Sequence, residues 1–297
     1  MATVGQWIAG ARLRTLPMAV APVLVGTAAA YEVDEQLHWE RALLAAFVAL
    51  LLQIGVNYAN DYSDGIRGTD DQRVGPLRLT ASGLVPPQRV KAAAFACFGA
   101  AAVVGLGLVL ISQAWPLLLV GLAAILAAWG YTGGANPYGY LGLGDLFVFL
   151  FFGLVATLGT TFTQVLQLTG PAWIGAVSTG LIASALLMAN NVRDIPTDRE
   201  VGKRTLAVRL GDEWARASYV LMLALAILLP IMLVGEYPWL LLVVLAAPLC
   251  LMPSWTMLRS TERQALIPVL KQTGAISLAY AALFAAGLVI TVILRNV

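Results

Sequence analysis

ALLAAFVALLLQIGVNYANDYSDGIRGTDD occupies residues 42–71, and its two halves obey different rules. From Ala42 to Val56 there is no charge, as suits a helix in hydrocarbon, where each ionised side chain costs several kcal/mol. From Asn57 onward come Asp61, Asp64, Arg67, Asp70 and Asp71. The junction marks a membrane-spanning helix that emerges into acids at one surface.

Composition agrees. The 297 residues are 60% hydrophobic and 11% charged, with a mean hydropathy of +0.82, which excludes an ordinary soluble domain. Nine apolar runs are long enough, or nearly so, to cross a bilayer: 16–31, 42–60, 92–112, 116–131, 143–166, 172–192, 218–234, 238–257 and 272–294. The expected fold is all-α and polytopic, a single membrane domain over residues 1–297 with about nine transmembrane helices. Pro17 and Pro22 interrupt the first run, so it reads as a span rather than a signal peptide. Cys97 and Cys250 lie inside apolar runs as inert thiols.

With the amino terminus on the cytoplasmic side, 16 of the 18 Lys and Arg residues fall on inner segments, leaving Arg41 and Arg295 outside. That partition satisfies the positive-inside rule and predicts a protein integral to the cell membrane, with its active-site loops cytoplasmic. The eight Trp residues fall near span ends, as an interfacial belt requires. His38, in an outer loop, has no expected chemical part.

The polar junction recurs. Asn57 and Asp61 stand four residues apart, followed by Asp64; Asn190 and Asp194 stand four apart, followed by Asp198. Four spans separate the motifs at 57–64 and 190–198, so an internal pseudo-repeat brings both to one membrane face. Positions three or four apart share a helix face, and each motif forms a polar stripe wherever its helix continues. Pro196 disfavours helical geometry at Ile195 and leaves the conformation at Asp198 open. Converging carboxylates repel unless a cation joins them, and all-oxygen donors suit magnesium. The plain alternative is a solvated helix end bridged to Arg67, Arg193 or Arg199. The loops after the motifs, RGTDDQRVGPLRLTASG and REVGKRTLAVRLG, mix Gly with basic residues as diphosphate-binding loops do.

NYANDYSD with GTDD and RVGPLRLTASG, together with NNVRDIPTDREVGKRTLAVRLG and YTGGANPYGYLGLGD, resembles the UbiA superfamily of intramembrane prenyltransferases. Within it the chain looks most like the 1,4-dihydroxy-2-naphthoate polyprenyltransferases of menaquinone biosynthesis. The resemblance implies a helical bundle with a central apolar cavity. It implies Asp61, Asp64, Asp194 and Asp198 as metal-binding and catalytic aspartates, holding magnesium, two ions being expected, against a polyprenyl diphosphate. Asn57, Asn190, Arg67, Arg78, Lys203 and Arg204 are implied near the diphosphate. Two departures stand out: Gly68 replaces a further acid, with Asp70 and Asp71 later, and a Tyr-x-x-x-Lys pattern is reduced to Tyr131 and Ala135.

Asp145, in LGLGDLF, reads either as a group orienting the acceptor's phenol, beside Tyr131 in an acceptor site, or as a helix-start acid. The implied partners are polyprenyl diphosphate, 1,4-dihydroxy-2-naphthoate and membrane lipid; no nucleic acid is expected. Alternatives are a relative acting on 4-hydroxybenzoate or homogentisate, and a secondary transporter. The transporter would place its charges near the midplane rather than at span ends.

Overall fold

The computed structural model describes residues 2–68 and 77–295. Residues 69–76, with Asp70, Asp71 and Arg73 of the first motif's loop, lie outside the described residues. Among the described residues every regular element is helical. The chain runs α1 (Val4–Gly10), α2 (Pro17–Asp34), α3 (Trp39–Ile66), α4 (Pro87–Ser112), α5 (Leu117–Gly130), α6 (Gly144–Val165), α7 (Gly170–Glu200), α8 (Leu206–Leu210), α9 (Asp212–Leu233), α10 (Pro238–Arg259) and α11 (Arg263–Arg295).

Seven of these are long and apolar enough to span a bilayer, and the bent pair formed by residues 4–15 and α2, meeting at 50°, makes an eighth. The expected count of nine is thus approximate. The run at 116–131 becomes the 14-residue α5, about 21 Å long and shorter than a hydrocarbon core of about 30 Å.

Helix α7 is the axis of the bundle: 72% of its apolar window is buried, against 50% or less in the other spans. Its small residues, among them Ala172, Gly175, Ala176, Gly180 and Ala183, let neighbours approach closely. Gly153 on α6 crosses Gly180 so tightly that a Cβ at Gly153 would lie 2.4 Å from Gly180 Cα. There α6 widens into a π-helical stretch, Phe149–Val155.

Both motif helices outrun their apolar stretches. The ladder of backbone bonds continues through polar side chains, so α3 reaches Ile66 and α7 reaches Glu200. Pro196 removes one donor without ending α7, and Asp198 remains helical.

The end of the bundle opposite the aspartate motifs is closed by Arg41. Its Nη1 donates to the carbonyls of Thr163 (3.2 Å) and Gln164 (2.8 Å) at the end of α6, and Nη2 reaches that of Ile111 on α4 at 3.4 Å. A cation suits these helix C-termini, which accounts for a basic residue at the end of the bundle away from the motifs.

Candidate active site

A cavity of about 1020 Å³ runs through the bundle. One end holds Asp64, Arg78, Asn190, Arg193 and Lys203; the other reaches Ala45, Leu108, Val109 and Thr163. From Asp64 to Ala45 along α3 is about 28 Å at about 1.5 Å per residue, so the cavity traverses nearly the whole membrane. Between its ends the walls are mainly Ala, Val, Leu and Phe. A long apolar chain fits such a space with its polar head at the acidic end.

The first motif is divided between two tasks. Asp61 faces away from the cavity, and its carboxylate accepts the backbone N–H of Leu79 (2.7 Å) and of Thr80 (2.8 Å). Asp61, expected as a metal ligand, here uses both oxygens to anchor the segment that returns from the loop. Asp64 does line the cavity, accepting from Tyr140 Oη at 2.8 Å and lying 3.7 Å from an Arg78 nitrogen. Asn60, which spacing alone did not single out, lines the same wall and accepts from Thr132 Oγ1 at 2.8 Å. Asn57 also lines the cavity, but its amide nitrogen is spent on the Ala11 carbonyl (2.9 Å) and on Thr15 (3.2 Å). It ties α3 to the turn before α2, away from the diphosphate role expected of it.

In the second motif Asp194 is gripped by its neighbour. Arg193 Nε donates to Oδ1 at 2.7 Å and Nη2 to Oδ2 at 2.8 Å, while Nη2 also donates to Asn190 Oδ1 at 2.8 Å. Arg193 is 4% exposed and lines the cavity. Arg193 was one of the salt-bridge partners that the plain alternative offered the acids, and the bridge to Asp194 forms, at a buried place in the cavity wall. Asp198 lies 3.7 Å from Lys203 Nζ and accepts from Thr205 Oγ1 at 3.4 Å. Tyr140 joins the motifs, donating to Asp64 while Lys203 Nζ stands 5.1 Å from its ring centre. Two distant stretches of chain therefore meet at one end of one cavity.

Other candidates fall elsewhere. Arg67 is exposed and donates to the carbonyls of Thr132 and Gly134, bracing the end of α3 against the 131–135 turn. Arg204 is exposed and enters the network through its backbone N–H, which donates to the Tyr140 carbonyl at 3.0 Å. Neither residue, both expected near the diphosphate, is part of the cavity lining. Tyr131 does line it. Burial, with the nearby charges of Asp145, Asp64 and Asp198, pushes its phenol above the ordinary value. Asp145 is buried in the first turn of α6 without a capping bond and does not line the cavity. Both its oxygens lack a hydrogen-bond partner. Asp145, expected to orient the acceptor, thus stands behind the wall, which here is Tyr131, whose ring packs on Gly144.

The expected convergence of four carboxylates is also changed. Among the described residues no group of three or more His, Cys, Asp or Glu side chains stands ready to hold a metal. Asp61 is diverted, and Asp64, Asp194 and Asp198 are paired with Arg78, Arg193 and Lys203. Asp64, Asn60 and Asn190 line the cavity, while Asp194 and Asp198 stand beside it without lining it; together they form an all-oxygen donor set that fits a hard divalent ion. The pairs at 3.7 Å are too long for direct hydrogen bonds.

The profile of the UbiA prenyltransferase family matches residues 19–272. The chain is 50% identical over 284 residues to the 1,4-dihydroxy-2-naphthoate octaprenyltransferase of Mycobacterium tuberculosis, covering 95% of this chain and 96% of that one. It is 38% identical to the enzyme of the same name from Escherichia coli, over 90% and 89% of the two chains. Among solved structures, a UbiA homolog from Archaeoglobus fulgidus bound to GPP and Mg2+ shares the fold with a TM-score of 0.65 at 14% identity, covering 97% of this chain and 99% of that one. A UbiA homolog from Aeropyrum pernix gives 0.64 at 18% identity over 98% and 99%. This chain belongs to the UbiA prenyltransferase family.

Proposed function

We propose that this protein transfers a polyprenyl group from polyprenyl diphosphate to 1,4-dihydroxy-2-naphthoate, releasing diphosphate and carbon dioxide and forming demethylmenaquinol. The observation that carries the reading is the continuous cavity, lined by Asp64, Arg78, Arg193 and Lys203 at one end and mainly by apolar side chains along the rest of its length. The strong likeness to 1,4-dihydroxy-2-naphthoate octaprenyltransferases supports the choice of acceptor.

Arg78, Arg193 and Lys203 bind the diphosphate oxygens, with Asn190 oriented by the Arg193 bond. Magnesium, held by Asp64, Asp194 and Asp198 with the amide oxygens of Asn60 and Asn190, supplies the charge that a departing diphosphate requires. As the allylic C1–O bond breaks, the apolar walls keep water from the cation. The acceptor's electron-rich ring attacks C1 through its carboxylated carbon. Tyr131 borders the ring, and Asp145, behind it, acts as a positioning residue.

The deciding assay incubates purified protein with a prenyl diphosphate, magnesium and a panel of hydroxylated aromatic acids. Prenylated hydroxynaphthoate product that vanishes with a chelator supports the reading; transfer to none of the acids overturns it.

Both aspartate motifs are assigned to the cytoplasmic face, on the distribution of basic residues. In a variant lacking Cys97 and Cys250, Gly235→Cys reacts with an impermeant thiol reagent on intact cells and Glu200→Cys does not. The opposite pattern inverts the topology.

A further inference from the structure

Thr15, in the turn before α2, fixes the orientation of two amides. Its Oγ1 donates to the Arg12 carbonyl at 2.9 Å. With its one hydrogen spent, that oxygen can only accept, and it does so from Asn57 Nδ2 at 3.2 Å and from Gln53 Nε2 at 2.8 Å. The Gln53 amide therefore has its nitrogen on Thr15 and its carbonyl oxygen turned away. Flipping the amide would set two oxygens face to face with no hydrogen between them. Gln53 Oε1 is buried and accepts no hydrogen bond from any described residue, although Gln53, 7% exposed, is part of the cavity wall with Leu52, Val56 and Thr15.

A buried acceptor without a donor is costly and uncommon in native proteins. Gln53 lies one helical turn deeper than Asn57 and about 10 Å below Asn60 along α3, just inside the membrane from the charged end. An isoprenoid tail has no hydrogen to donate at that depth; a phenol has. We propose that Gln53 Oε1 accepts a hydrogen bond from a ring hydroxyl of the aromatic acceptor, selecting a hydroxylated ring and setting its depth beside the reacting carbon. The inference rests on the prenyl transfer proposed above. The terminal torsion of Gln has a broad profile, so a small rotation presents the oxygen to the cavity while the amide nitrogen stays on Thr15. A hydrogen bond accepted from the phenol leaves more electron density on its oxygen and on the ring, as attack on an allylic cation requires. Gln53 takes no proton; it holds one in place.

The test compares 1,4-dihydroxy-2-naphthoate with its two monomethyl ethers, each lacking one O–H, at fixed prenyl diphosphate and magnesium. Wild-type protein is expected to lose about tenfold or more in kcat/KM on one ether and far less on the other. Gln53→Leu is expected to lose a similar factor on the parent acceptor, to treat parent and ether alike, and to keep the wild-type KM for prenyl diphosphate. Gln53→Met, close to glutamine in size but without the oxygen, gives the same reading where Leu fails to fold. Gln53→Glu, whose neutral acid can donate to Thr15 and still present a carbonyl, retains the discrimination. If Gln53→Leu or Gln53→Met keeps the wild-type ratio between parent and ether, the inference is overturned while the transferase reading stands. If wild-type protein prenylates none of the three, both fall together.

Discussion

Asp64→Asn lowers kcat for prenyl transfer by about 10²–10³-fold or more and leaves a folded protein, whereas Asp61→Asn keeps activity within about tenfold and lowers thermal stability. The two residues sit three apart in one motif, yet their surroundings differ. Asp64 stands in the cavity wall, where it accepts from Tyr140 Oη and lies 3.7 Å from an Arg78 nitrogen, facing the space a metal and diphosphate would enter. Asp61 is committed to two backbone N–H groups. An amide in its place keeps one acceptor and turns an N–H₂ against the second donor, removing charge-assisted bonds that contribute about 1.5–3 kcal/mol each. Steady-state rates and a thermal unfolding curve for each variant separate the two. A dead Asp61→Asn that unfolds normally, beside an active Asp64→Asn, would reverse the assignment.

That contrast also marks where the sequence was legible. Hydropathy located the spans because a charge-free run such as Ala42–Val56 has one stable home. It placed the inner ends of α3 and α7 several residues early, at 60 and 192 against Ile66 and Glu200. Hydropathy stops at the first polar side chains, while the backbone ladder does not. A helix turns by about 100° per residue, so Asn57, Asn60 and Asp64 fall within about 60° of one another, with Asp61 at the far edge of the stripe. Pairing Asn57 with Asp61 gave the same four-residue spacing as Asn60 with Asp64, and only the position of the cavity distinguishes them. Arg67 and Arg204 were near the motif in sequence, but the direction of a long side chain depends on the carbonyls it finds, here Thr132 and Gly134 for Arg67. Gln53 was hidden for the opposite reason: one amide inside an apolar run reads as tolerated polarity until its hydrogen bonds are followed.

With carboxyl-labelled 1,4-dihydroxy-2-naphthoate and a polyprenyl diphosphate, this protein is expected to release one labelled carbon dioxide for each diphosphate, leaving a prenylated diol without the carboxylate. The two hydroxyls make the naphthalene ring a strong enough nucleophile to trap an allylic cation without a strong base. No side chain of His, Lys or ionised Cys need stand at the ring for this, and His38 is far from it, bonded to Asp34 at the outer end of α2. When the carboxylated carbon attacks C1, a carbon–carbon bond forms and the ring loses aromaticity. Breaking the bond to the carboxylate returns its electron pair to the ring, so carbon dioxide departs where a benzenoid acceptor attacking through a C–H position would need a proton acceptor. The cavity wall is suited to the first course, being mainly apolar there, with Tyr131 as its phenol. Product mass and trapped label are the readouts. A product that keeps its label, or turnover confined to 4-hydroxybenzoate, assigns the same cavity to a different acceptor and leaves the prenyl transfer itself in place.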